Sequence, residues 1–139
     1  MYKLVLQGKD TSEIIAFIDP WKEDEIPVEF INLARSNLVR DALFYIYKHS
    51  NEKLTRNDVA SQVYISQWYL SKLLHRETQM KFSDLLARAR ILKSRRLLLE
   101  TQLGFGDIAG EVGFSDVSHF SRAFMKVMGM PPGQWRNQC

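Results

Sequence analysis

The chain has 139 residues, 45% hydrophobic and 25% charged, with a net charge of +3, which suits one globular domain or two small ones sharing their packing. No apolar run approaches the roughly 18 residues of a membrane span, and the N-terminus lacks the basic, apolar and small-residue order of a signal peptide. The single cysteine, Cys139, is the last residue, which excludes a disulfide framework and a cysteine cluster for zinc and fits a reducing cytoplasm.

Charge is unevenly divided. Residues 1–34 hold three basic residues (Lys3, Lys9, Lys22) against seven acidic ones, a net −4, and residues 35–139 hold sixteen against nine, a net +7. A basic body behind an acidic leader suits a polyanion partner. A solvated surface with a mild bias reads the same way.

In chain order, Tyr2 to Gln7 alternates loosely as a strand would, and Ser12 to Ile18 suits a short helix. Pro20 and Pro27 bracket the acidic Lys22-Glu23-Asp24-Glu25 linker. Residues 1–34 either pack on the rest or form an accessory segment or the remnant of a missing sensory or dimerisation domain; the remnant is preferred. Leu38, Val39, Ala42, Leu43, Ile46 and Tyr47 recur at helical spacing and predict a first amphipathic helix. Thr55 and Asp58 form a capping-box pattern for the next helix, which ends near Tyr64, and Ser66 can cap the one after it. A long helix is expected over 82–100, with Phe82, Leu85, Leu86, Ala89, Leu92, Arg96 and Leu99 on one stripe. Arg88, Arg90, Lys93 and Arg95 lie along it, as a solvated face or within reach of phosphates. Gly104 and Gly106 interrupt, and Pro131-Pro132 ends the last long helix and starts a short one holding Trp135.

Part of this pattern occurs twice. Asp58-Val59-Ala60 answers to Asp107-Ile108-Ala109 at an offset of 49. One residue is gained, and Leu70-Ser71-Lys72 answers to Phe120-Ser121-Arg122 at an offset of 50, as do Leu74 to Phe124, Arg76 to Lys126 and Met80 to Met130. Each copy reads as a helix-turn-helix, the first over 55–78 and the second over 104–128. Ala60 and Ala109 are small enough for a second helix to cross closely. Val59, Val63, Ile65, Leu70 and Leu73 fill the first core, and Ile108, Val112, Phe114, Phe120 and Phe124 the second.

Subtracting the core leaves a polar outer face on each second helix. It comprises Gln67, Trp68, Ser71, Lys72 and His75 in the first copy, with Arg76 beside them, and Val117, Ser118, Ser121, Arg122 and Lys126 in the second. Such faces suit a DNA major groove: Arg and Lys donate to guanine, Gln pairs with adenine, and an apolar side chain touches a thymine methyl. Trp68 either projects or folds back on the core. Asp116 reinforces its helix N-terminus rather than contacting a base. His75 is a surface or phosphate-facing residue, and His119 faces the junction between the helices of its copy. The histidines have no partner at ligand spacing, so no metal is expected. A helix of 18–20 residues is about 27–30 Å long, close to the roughly 34 Å between successive groove segments on one DNA face. The 82–100 helix is therefore a plausible strut between two reading helices.

Residues from about 38 to 136 resemble the DNA-binding domain of the AraC/XylS family of bacterial transcription regulators. The strongest stretch is Gly113-Phe114-Ser115-Asp116-Val117-Ser118-His119-Phe120-Ser121-Arg122-Ala123-Phe124, followed by Gly129-Met130-Pro131-Pro132 and Trp135-Arg136. The resemblance implies an all-α fold of two homeodomain-like helix-turn-helix subdomains on one linker helix. It implies Trp68, Ser71 and Lys72 as base readers in the first half and Val117, Ser118, Ser121 and Arg122 in the second. Four positions depart from the family pattern. Tyr64 and Gln79 stand where glycine is usual, which implies strain or an altered turn. Gly104 and Pro131 stand where Ser or Thr commonly caps.

The leading expectation is a cytoplasmic, sequence-specific regulator of transcription, an activator by family habit. Its partners are double-stranded DNA and RNA polymerase, with dimerisation through a missing N-terminal domain compatible with it. The alternative is a helical interaction module that docks on polymerase or another regulator. The chain has no phosphate loop, no catalytic constellation and no metal cluster, so neither an enzyme nor a cofactor is expected.

Overall fold

The computed structural model describes residues 26–138. The expected strand over 2–7, the helix over 12–18 and the acidic linker over 22–25 lie outside the described residues. Those described form eight helices and no strand: α1 Val28–Ile31, α2 Asn37–Lys48, α3 Arg56–Gln62, α4 Gln67–Thr78, α5 Phe82–Glu100, α6 Phe105–Val112, α7 Val117–Met128 and α8 Pro132–Gln138. No helix among them is long and apolar enough to cross a membrane.

The helix starts follow from local chemistry. Ser36 Oγ accepts from Val39 N–H, Ser66 Oγ from Tyr69 N–H, and Asp116 Oδ1 from His119 N–H at 2.7 Å. Thr55 and Asp58 cap each other reciprocally, and the two hydrogen bonds from Thr55 hold the Asp58 carboxyl below its ordinary pKa. Gly104 opens α6 without a side-chain cap. Four turn positions, two in each copy, are left-handed: Tyr64 at φ 63°, Gln79 at 64°, Gly113 at 112° and Gly129 at 81°. Two of the four therefore carry a Cβ where glycine is the unstrained residue.

The helices build two units with separate cores. In the first, α2, α3 and α4 bury Val39, Leu43, Ile46, Val59, Leu70 and Leu74. Residues 26–34 join this core, because Phe30 on α1 is fully buried and packs at 5.6 Å on the Tyr47 ring. In the second, α6, α7 and α8 close over Ile108, Val112, Phe114, Phe120 and Phe124. An aromatic chain runs Phe114, Phe120, Phe124, Trp135 with centroid spacings of 5.7, 5.8 and 5.8 Å.

Both units share α5, and this corrects the expectation of one stripe. Leu85, Ala89 and Leu92 face the first core, whereas Ala87, Ile91 and Leu98 face the second. Ala87 and Ile91 follow Leu85 and Ala89 by two residues, about 200° around the helix axis, and Leu98 falls on the same side as Ala87 and Ile91. The strut is thus apolar on opposite faces, and no single stripe describes it. Leu99, assigned to the stripe, is 53% exposed, and Arg96 pairs with Glu100 at 3.2 Å.

Three of the four cations named along α5, Arg90, Lys93 and Arg95, are likewise not part of a solvated face. Arg90 donates from Nε to Ser50 O at 2.6 Å and from Nη2 to Glu52 O at 3.0 Å, and burial pulls its pKa down. Lys93 is buried, with Nζ 3.4 Å from Lys48 O. Burial lowers its pKa to about 8, against an opposing pull from Glu52. Arg95 pairs with Glu29 at 3.2 Å. These groups hold α5 to the loop after α2 and to α1.

Candidate nucleic-acid interface

The outer faces of α4 and α7 occupy matching positions in the two units. Each helix has twelve residues, and they match at an offset of 50. On α4, Leu70, Leu73, Leu74 and Thr78 point inward. Outward there are two i, i+4 rows: Trp68, Lys72, Arg76, and beside it Gln67, Ser71, His75. On α7, Phe120 and Phe124 point inward. The matching outer rows are Ser118, Arg122, Lys126 and Val117, Ser121, Met125.

All eleven residues expected at the site lie on these rows. Gln67, Trp68, Lys72, His75 and Arg76 are exposed, as are Val117, Ser118, Arg122 and Lys126, while Ser71 and Ser121 are half-buried. Trp68 projects, 68% exposed, with Lys72 Nζ 4.6 Å from its ring centroid. That cation–π contact orders two long side chains before any ligand arrives. Val117 stands 41% exposed at the start of α7. His119 is exposed and meets Phe114 edge-on at 5.0 Å. Asp116 is occupied as a cap. Among the described residues no group of His, Cys, Asp or Glu could hold a metal.

Two features hold the faces in place. Glu77, near the end of α4, accepts from the N–H groups of Arg35 and Ser36 at 2.7 and 2.9 Å. Burial works to raise its pKa, but these hydrogen bonds prevail and hold it below the ordinary value. The second is the turn before α7. A Cβ at Gly113 would lie 2.8 Å from both Ser50 O and Arg90 Nε. The turn of the second unit therefore sits directly on the loop of the first, with Arg90 between them and 5.6 Å over the Phe114 ring. α4 and α7 are fixed through this contact as well as through α5.

One residue of this surface was missed from the sequence. Arg56, the first residue of α3, donates from Nη1 to Ser71 Oγ at 3.1 Å. Only the crossing of α3 over α4 brings the two together, and no spacing rule signals it.

A family model described as a helix-turn-helix domain matches residues 59–138. In structure the chain is similar to a transcriptional regulator with an AraC-type DNA-binding domain from Chromobacterium violaceum, at 25% identity and a TM-score of 0.69, covering 73% of this chain and 90% of that one. The chain belongs to the AraC/XylS family. The C-terminal domain of AraT, a response regulator from Geobacillus stearothermophilus, is 39% identical at a TM-score of 0.66, with 75% of this chain and 87% of that one covered. The HTH-type transcriptional activator RhaR of Klebsiella pneumoniae is 37% identical over 73 residues, 52% of this chain and 26% of its own length. The chain spans 33%, 42% and 32% of the length of three further curated relatives. Its AraC/XylS domain is a DNA-binding domain of the kind that transcription regulators carry.

Proposed function

We propose that α4 and α7 enter adjacent major-groove segments of one duplex and read its sequence, and that the chain activates transcription in the cytoplasm. The observation that carries this is the pair of matched helices, each with an apolar inner side, a capped start and two exposed outer rows. Lys72 and Arg122 occupy equivalent positions and act as the principal base donors. Trp68 and Val117 supply apolar contact, and Gln67, Ser71, Ser118 and Ser121 supply hydrogen bonds. His75, Arg76 and Lys126, further along the rows, face the backbone. At 19 residues, α5 is about 28 Å long, which suits a spacing of one helical turn.

Activation is supported by the likeness to RhaR and implies contact with RNA polymerase. A cleft between α2 and the end of α3, lined by Phe44, Tyr45 and Tyr64 and by no residue of α4, leaves an aromatic surface free while the reading face is occupied. It also gives the alternative of an interaction module a definite place.

Lys72→Ala and Arg122→Ala, measured against duplexes with every single-base change, test the reading. Each variant is expected to flatten discrimination at one base pair, with a loss of about 1–3 kcal/mol, the two base pairs lying about 10 apart. Equal weakening on all sequences would make these residues backbone clamps and contradict the assignment.

A further inference from the structure

We infer that the first unit holds one phosphate of the DNA backbone in a cationic cleft that the second unit lacks. The inference rests on the DNA-binding reading above and adds residues that it does not use.

The cleft, about 270 Å³, opens where the starts of α3 and α5 meet the outer side of α4. Arg56, Ser71, His75, Lys81, Phe82 and Ser83 line it. Three of these are basic, two carry hydroxyls and none is acidic. Arg56, His75 and Lys81 are all exposed, and none has an ion pair among the described residues. Arg56 spends one N–H on Ser71, which leaves the rest of its planar fork for an oxyanion. Lys81 adds a second fixed charge. His75 offers a ring N–H in either protonation state. Gathering such groups without a carboxylate is unfavourable until an anion enters.

The internal repeat supplies an independent comparison. The six positions correspond to Phe105, Ser121, Met125, Pro131, Pro132 and Gly133. No basic residue remains, and only the serine is kept. In that corner a Cβ at Gly133 would lie 3.6 Å from the Phe105 ring, and the Arg136 guanidinium lies 5.4 Å over the same ring. Arg136 itself donates to Leu98 O and Thr101 O at 2.9 and 3.2 Å. The second unit thus builds the same helix junction from apolar packing. The fold does not need the three cations, so their presence in the first unit has another use. The cleft adjoins the Gln67, Ser71, His75 row, at the edge of the reading face, where a backbone phosphate passes.

The test is binding of a duplex selected by the parent chain, with salt varied. Arg56→Gln with Lys81→Gln is expected to lower the slope of log K against log salt by about 1 in magnitude, with the ranking of single-base variants unchanged. Arg56→Lys restores part of the slope. Replacing single phosphates by neutral methylphosphonates locates the contact. One position should weaken the parent several-fold and the double variant not at all. An unchanged slope in a double variant with the parent's far-UV spectrum overturns the inference, as does additive loss at every phosphate or an altered base ranking. A parent chain that binds no duplex overturns it together with the DNA-binding reading, and that failure shows before any variant is made.

Discussion

The two units have the same helices but solve their local problems with different chemistry. The second has glycine at both left-handed turns, Gly113 and Gly129, and a core of aromatic rings that meet edge-on or tilted. The first puts Tyr64 and Gln79 at those turns and fills its core mainly with aliphatic residues. It offsets part of the strain locally: Gln79 Nε2 donates to Arg76 O at 3.2 Å, and Glu77 ties α4 to the start of α2. Where α3 and α5 meet α4, the first unit has the cations Arg56, His75 and Lys81, and the second has Phe105, Met125 and Pro131 in their places. Backbone geometry is thus kept while side-chain chemistry diverges. Both copies retain the inner apolar positions and, on the outer rows, Ser71 with Ser121, Lys72 with Arg122 and Arg76 with Lys126.

The largest expected effect strikes the aromatic core. Phe120→Ala should destabilise the domain by about 3–5 kcal/mol, read by chemical denaturation. The aliphatic counterpart, Leu70→Ala, should cost about 2–5 kcal/mol. A negligible effect of either would break the picture of two full cores. Next comes the junction between the units. Gly113→Ala meets both a positive φ and two contacts of 2.8 Å, one of them backbone, and should cost about 1–3 kcal/mol. Its loss of affinity for a two-block site should exceed that for a site holding only one block. Tyr64→Gly tests the opposite sign. The side chain is 92% exposed, so little packing is lost, and relief of the left-handed strain should raise stability by about 1 kcal/mol. Lower stability would show that Tyr64 is not strained.

A pH dependence is expected as well. Lys93 has its folded pKa depressed to about 8 from the ordinary 10.5. Between these values the unfolded chain binds more protons than the folded one, so stability should rise with pH from about 8 to 10.5. Below about 8 both states are protonated, and the cost of burying the charge is constant. Lys93→Met should remove this rise from the melting-temperature profile. An unaltered rise would place the titration elsewhere.

Much of this fold is written in short-range signals. The caps at Thr55, Ser66 and Asp116 follow from side-chain type, and the turns at Tyr64 and Gln79 follow from comparing one copy with the other. All five positions chosen for the second core are buried, and three of the five in the first, with Val63 and Ile65 only partly buried against it. Legibility fails where one residue answers to two partners. Because α5 faces two cores, its apolar residues do not repeat at one helical phase. Arg90 and Lys93 look like solvated cations because they meet backbone carbonyls at the end of α2 and in the loop after it, which carry no sequence signal. Phe30 was hidden in a segment judged by its acidic charge. At the reading face, exposure of the rows follows from periodicity, but the Arg56 to Ser71 bond needs the helix crossing.

Selection of random duplexes by the parent chain, followed by salt titration of the winners, tests most directly whether both units read sequence. The account predicts two enriched blocks about one helical turn apart, with affinity that falls steeply with salt. A single enriched block, or none, would contradict it.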